Sequence, residues 1–203
     1  LYMMVKNTKK ASAGSAQIHL IANLDSINKL KLPSGYRNYV KDNLKKEKLI
    51  KINHAGERAV VALIDESKDL ERTREIGAKI CHHLNDEKVK KCHISGVISP
   101  EQILSLAEGI ALTNYQFLKY FADAKKRLNS LKTIEVTHDN LDKFDIGELN
   151  NVLSAVSEVR TLVNEPQNFL TATQLSEEIK RIGDESGFNV EVFKKKKIES
   201  LKM

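Results

Sequence analysis

The chain has 203 residues, 41% of them apolar and 30% charged, with a formal net charge of +6. That balance excludes a chain disordered throughout, and no apolar run approaches the roughly 20 residues that span a bilayer. Two cysteines exclude a disulfide framework, and the simplest setting is reducing and cytoplasmic.

Residues 1–16 are small and polar enough to read as a loose terminus. The opening apolar stretch, Leu1 to Val5, is too short for a signal-peptide core. Gly14, Gly35, Gly56 and Gly77 recur every 21 residues, but the segments between them differ in pattern, so no repeat is inferred. Gln17–Asn23 is apolar and suits a first strand. Leu32-Pro33-Ser34-Gly35 is turn chemistry. Tyr36–Lys46 then reads as a helix, with Tyr36, Tyr39, Val40 and Leu44 on one stripe. Leu49–Asn53 and Arg58–Ile64 form a hairpin around His54-Ala55-Gly56-Glu57. The second of these strands is continuously apolar, which predicts burial on both faces.

Asp65 and Ser67 are candidate caps for a helix running to about Leu84, with Leu70, Arg74, Gly77 and Cys81 on its stripe. Lys90–Ile94 is a short strand. Ser99-Pro100-Glu101 opens a helix by N-cap, N1 proline and early acid. Its apolar stripe predicts that it reaches about Lys125. Leu131–Thr137 is a further strand, and the alternation of strands and helices implies an α/β layered domain. Ile146–Val163 is a helix with Leu149, Val152, Val156, Val159 and Val163 at helical spacing, stopped by Asn164-Glu165-Pro166. Thr171-Ala172-Thr173-Gln174 fits a capping box for a helix ending at Gly187. Phe188–Phe193 alternates as a strand, and Lys194–Leu201 begins another helix.

Charge is uneven. Between Asp25 and Arg58 there are nine Lys or Arg and four acids. This basic segment could meet nucleic acid, DNA above all, although a solvated helix face is the plainer reading. No aromatic lies between Tyr39 and Tyr115, and base stacking on single strands needs rings among the cations. The run Lys194–Lys197 reads as a connection lying in water.

Candidate metal donors are Cys81, His82, His83, Cys92 and His93. Their spacing is no zinc-finger pattern, and a helix and a strand would point neighbouring donors apart, so buried cysteines and surface histidines are the better reading. Neither a G-x-S-x-G elbow nor a phosphate-binding P-loop is present. Gly109 reads as a packing glycine, with Glu108 beside it pointing to water. The residues alone nominate no catalytic, cofactor-binding or metal-binding position.

Two segments resemble a known family. Ala107-Glu108-Gly109-Ile110-Ala111-Leu112-Thr113-Asn114-Tyr115-Gln116-Phe117-Leu118-Lys119-Tyr120 is similar to the A-E-G-x-x-L-x-x-Y-x-F-x-x-Y helix of the leucyl (cytosol) aminopeptidases. Val159-Arg160-Thr161-Leu162-Val163-Asn164-Glu165-Pro166-Gln167-Asn168-Phe169-Leu170-Thr171 resembles their R-x-L-V-N-x-P-x-N-x-L-T-P junction, with Ala172 in place of the last proline. Val190-Glu191-Val192, Ile198 and Leu201-Lys202-Met203 resemble the family's following strand and "lgM". The first 95 residues agree only in layout.

The resemblance implies a macro-like N-terminal domain over 1–144, a mixed sheet flanked by helices. It implies a linking helix over 145–165 and the beginning of an α/β peptidase domain over 166–203. The implied parent is a metal-dependent aminopeptidase that hydrolyses N-terminal residues from peptides, works in the cytoplasm and assembles as a homo-oligomer, a hexamer. Its two divalent metals, zinc or manganese, would sit in the peptidase domain. The N-T-D-A-E-G-R and K-G-x-x-[FY]-D-S-G-G signatures of that domain do not occur here. This chain alone is therefore expected to be inactive and to carry no metal. Alternatives are an interaction domain that binds DNA through 25–58, or ADP-ribose by analogy with macro domains; no glycine-rich loop near Val97–Glu101 favours the latter. Residues 164–203 are expected to be the least stable part of the chain, either frayed or paired with another copy.

Overall fold

The structure, a computed structural model, describes residues 3–32, 35–54, 56–64 and 69–203. Six strands form one sheet: β1 Met4–Asn7, β2 Ala16–Ile21, β3 Leu49–His54, β4 Glu57–Leu63, β5 Lys91–Val97 and β6 Thr133–Thr137. Their spatial order is β1-β6-β5-β2-β4-β3, and all neighbours are parallel except the β3–β4 hairpin. The mixed α/β sheet expected from the sequence is present. The helices are α1 Tyr36–Leu44, α2 Leu70–Asp86, α3 Pro100–Thr113, α4 Ala124–Arg127, α5 Lys143–Asn164, α6 Ala172–Ser186 and α7 Lys195–Ser200, with a 3-10 turn at Leu24–Lys29. The chain divides into two compact units, 1–157 and 158–203.

In the first unit, strand alternation separates two unlike faces. One carries Ile18, Leu20, Val60, Ala62, Cys92, Ile94, Ile134 and Val136. These residues join α2, α3 and the first half of α5 in the main apolar cluster. The opposite face is apolar only over β3, β4 and the end of β2, where Val40 and Leu44 of α1 and Ile27 of the 3-10 turn cover Ile21, Ile50, Ile52 and Val61. Ala59 to Ala62 are buried throughout, as a strand enclosed on both faces requires.

Two expectations fail in this unit. Residues 1–16 are not a loose end, because β1 adds to the sheet in parallel with β6 and buries Met3 and Val5. A four-residue strand with one buried position has almost no local signature; its partner lies some 130 residues away. The outer backbone of β1 meets α5: the Asn150 side chain donates to Val5 O at 2.9 Å and accepts from Val5 N at 2.9 Å. This covers an edge that would otherwise invite pairing.

α3 ends at Thr113 rather than near Lys125. Asn114 turns its amide to Leu131 O (3.1 Å), and Gln116 binds Arg127 O (2.9 Å) and Asn129 N (2.8 Å). These long-range bonds replace the helical continuation. In α5 the buried residues are Ile146, Leu149 and Leu153, while Val152, Val159 and Val163 are exposed.

The expected caps Asp65 and Ser67, the turn residues Pro33 and Ser34, and Ala55 of the hairpin lie outside the described residues. Asp69 caps α2, accepting from Arg72 N. Ser99 caps α3, with Pro100 at its start, as read from the sequence.

In the second unit, Thr171 caps α6 by accepting from Gln174 N, and Gly187 ends it in the left-handed conformation. Phe188–Phe193 is not a strand: residues 187–194 are irregular, and no strand lies within this unit for them to pair with. Leu175, Ile179, Phe188 and Val192 are exposed.

Candidate functional site

On the sheet face opposite α2 and α3, the register of β2, β5 and β6 lines up polar side chains in two rows. Gln17 lies beside His93, and His93 beside Glu135; one step on, His19 lies beside Ser95, and Ser95 beside Thr137. The rows are bonded across strands. A ring nitrogen of His93 meets Gln17 Oε1 at 3.2 Å and the other meets Thr137 Oγ1 at 2.8 Å. Ser95 Oγ lies 3.3 Å from His19 Nδ1. Thr137 Oγ1 donates to Thr8 O, tying the end of β1 to the same network.

Glu135 is buried. Burial would raise its pKa, but Ser12 N (2.9 Å), Ser12 Oγ and Ser15 Oγ (3.1 Å) all donate to its carboxylate and hold it below the usual range. The segment after β1 is thereby fastened over the sheet. His19 is only 7% exposed, and its Nε2 is enclosed with no hydrogen-bond partner. Burial, reinforced by His93 nearby, lowers its pKa to about 4. His93 is lowered too, by burial against the opposing pull of Glu135. Both imidazoles are held toward the neutral form, so they offer hydrogen-bonding edges rather than charge.

A cavity of about 820 Å³ opens over these rows. Its floor includes Gln17, His19, His93, Ser95 and Thr137, and its lining includes Lys9, Lys10, Lys29, Lys31 and Arg58. Part of the basic segment 25–58 thus converges on a concavity rather than spreading along one helix face.

The donors weighed for a metal are not brought together. Cys81 and Cys92 lie in the main apolar cluster, His82 is exposed and His83 half-buried on α2. His93 points to the opposite sheet face from Cys92 and is buried, so it is not the surface histidine expected. Among the described residues no group of three or more His, Cys, Asp or Glu is placed to hold a metal ion. Glu108 also departs from expectation: its carboxylate takes the Arg74 guanidinium at 2.7 Å and is largely shielded from water. Lys194–Lys197 opens α7 in solvent, with Lys197 bonded to Glu191. Sequence reasoning passed over Gln17, His19, Ser95, Glu135 and Thr137, although polar residues at every second position of three apolar strands mark one face.

No family model matches the chain. Over 106 residues, 49% of the chain, it is 35% identical to a probable cytosol aminopeptidase of Clostridium perfringens. Over 134 residues, 64% of the chain, it is 26% identical to another from Aquifex aeolicus. These stretches of the chain are similar to cytosol aminopeptidases. The matched stretches span 21% and 27% of the length of these two aminopeptidases. A tomato leucine aminopeptidase shares the fold over 99% of the chain and 46% of its own, with a TM-score of 0.74 at 13% identity. The bottromycin maturation enzyme BotP shares it over 92% of the chain and 41% of its own, with a TM-score of 0.65 at 16% identity. No helix among the described residues is long and apolar enough to cross a membrane.

Proposed function

We propose that this chain is the non-catalytic N-terminal part of a leucyl-type metallo-aminopeptidase that removes N-terminal residues from peptides in the cytosol. The observation that carries the reading is the pair of motif segments, supported by relatives named cytosol aminopeptidases. In this structure the first segment, 107–120, is the end of α3 and the loop after it. The second, 159–171, is the end of α5, its connection and the cap of α6. Two divalent ions, zinc or manganese, would activate water and polarise the scissile carbonyl in such an enzyme. In this reading the chain's own role is structural, supporting assembly of a homo-oligomer, a hexamer.

The test is release of p-nitroaniline from leucine p-nitroanilide by the product of the full encoding reading frame. Release is expected with manganese or zinc and should stop with a chelator. The 203-residue chain by itself should show none. Absence of metal-dependent release from the full product would overturn the reading.

A further inference from the structure

We propose that the cavity over β2, β5 and β6 binds a phosphorylated polyol or sugar. This stands apart from the aminopeptidase reading, because no peptidase residue is involved. The cavity's volume, about 820 Å³, falls in the range of roughly 300–1,000 Å³ typical of small-molecule sites. A phosphate ion alone would leave most of it to water.

Charge sets the ligand's sign. Lys9 and Lys10 follow β1, Lys29 ends the 3-10 turn and Lys31 follows it, and Arg58 is the second residue of β4, where it also pairs with Glu87 at 3.8 Å. Against these five cations the described lining residues hold a single carboxylate, Glu57. The four lysines are exposed and take part in no ion pair among the described residues, unlike Lys45 with Asp42 or Arg127 with Asp123. Cations from three distant stretches of chain repel one another at this mouth, and an anion relieves that repulsion. Glu135 does not line the cavity, and its carboxylate oxygens are taken by Ser12 and Ser15.

The floor sets the rest of the ligand. Gln17 and Ser95 keep a further donor or acceptor beyond their bonds to Ser15, His93 and His19, which suits hydroxyl groups, while the imidazole nitrogens are already bonded or enclosed. No Phe, Tyr or Trp among the described residues lines the cavity, so a nucleobase finds no ring there to stack on. The lysine-bearing loop is also held before any ligand arrives: Thr8 N donates to Val136 O at 2.9 Å, and Ser12 is bound to Glu135. Less ordering then remains to be paid for on binding.

The experiment is calorimetric titration of the full chain with fructose bisphosphate, inorganic phosphate and ADP in separate runs. Fructose bisphosphate should bind more tightly than either of the others, and its affinity should fall as salt rises. The Lys29→Gln/Lys31→Gln double variant should bind it at least roughly tenfold more weakly, since one lost charge-assisted contact alone is worth about that factor. Its ligand-free unfolding midpoint should not change. A Lys125→Gln/Lys126→Gln control in α4 should bind like the parent chain. No heat from folded protein with fructose bisphosphate would overturn the proposal. So would unchanged affinity in the rim variant, inorganic phosphate binding equally well, or ADP binding more tightly.

Discussion

Gly77 of α2 stands against Gly109 of α3 so closely that neither position has room for a methyl group. A Cβ on Gly109 would lie 2.2 Å from Arg74 O, and one on Gly77 would lie 2.6 Å from Leu106 O. The obstacles are backbone atoms, which cannot swing aside. The Arg74–Glu108 ion pair sits beside this crossing and spans the same two helices.

Gly109→Ala should therefore destabilise the first unit. Helix propensity alone would favour alanine by up to about 1 kcal/mol. Overpacking costs about 1–3 kcal/mol, and more where backbone must move, so the clash prevails. Chemical denaturation of the variant should show a lower midpoint. An unchanged or higher midpoint would mean that the helices part freely.

Asn85 joins the ends of α2 and α3 to the segment before β6. Its amide donates to Asn114 Oδ1 (2.9 Å) and Cys81 O (3.1 Å), while its Oδ1 accepts from Leu131 N (3.1 Å) and Ser130 Oγ (3.3 Å). Asn85→Ala strands these groups at about 1–3 kcal/mol for each one left buried and unpaired. A loss of at least about 2 kcal/mol is expected by urea titration. Asn85→Asp should recover part of it, because the bonds from Leu131 and Ser130 survive.

The pH dependence follows from His19. Its pKa is lowered from 6.5 to about 4 in the folded chain, so the unfolded chain takes up its proton first as pH falls. Stability from this group is complete above about pH 6.5, declines between 6.5 and 4, and changes no further below. The full loss is on the order of 3 kcal/mol. His93 works in the same direction, and Glu135, held low by its donors, adds a loss at still lower pH. Urea midpoints measured across this interval should fall steadily, and His19→Gln should flatten the fall. A flat profile in the parent chain would show that His19 is already solvated.

Both thiols should be inert in the native state. Burial pushes Cys81 up to about 12, against the hydrogen bond from Asn85, and pushes the fully enclosed Cys92 higher still. Thiolate is the reactive form, so iodoacetamide labelling near neutral pH should follow the unfolding rate. Fast labelling of either cysteine under native conditions would contradict this.

The second unit should exchange its amides first. α6 buries only Gly183 and leaves Leu175 and Ile179 exposed. Arg181 binds Glu158, Glu178 and Glu185 there, but these ion pairs are exposed and contribute little. Hydrogen exchange at 172–186 should outpace that at β2 and β4 by orders of magnitude. Equal protection would show that this unit is self-sufficient.

Much of the sheet was legible because its strands carry their own signals. Ala59–Ala62 announce an enclosed strand, and Ser99-Pro100 announces a helix start. What stayed hidden depends on partners far away in sequence. β1 is visible only against Ile134, the end of α3 only through Leu131 and Arg127, and the failed strand at Phe188 only through the lack of a neighbour. The site was half legible. Gln17 with His19, His93 with Ser95, and Glu135 with Thr137 show the two-residue period that marks one sheet face. Their convergence with Lys9 and Lys29 needs the register, which no single strand encodes.

The pairing of β1 with β6 has a consequence for synthesis. The first strand leaves the ribosome with its only sheet neighbour, 133–137, still untranslated. At roughly 5–20 residues per second, some 6 to 25 s pass before that neighbour exists. Through that interval Met3 and Val5 have no apolar groove to enter, and the loop bearing Lys9, Lys10 and Ser12 has no Glu135 to hold it. The nascent chain can therefore assemble β2 to β5 first and add β1 only once 133–137 has been made.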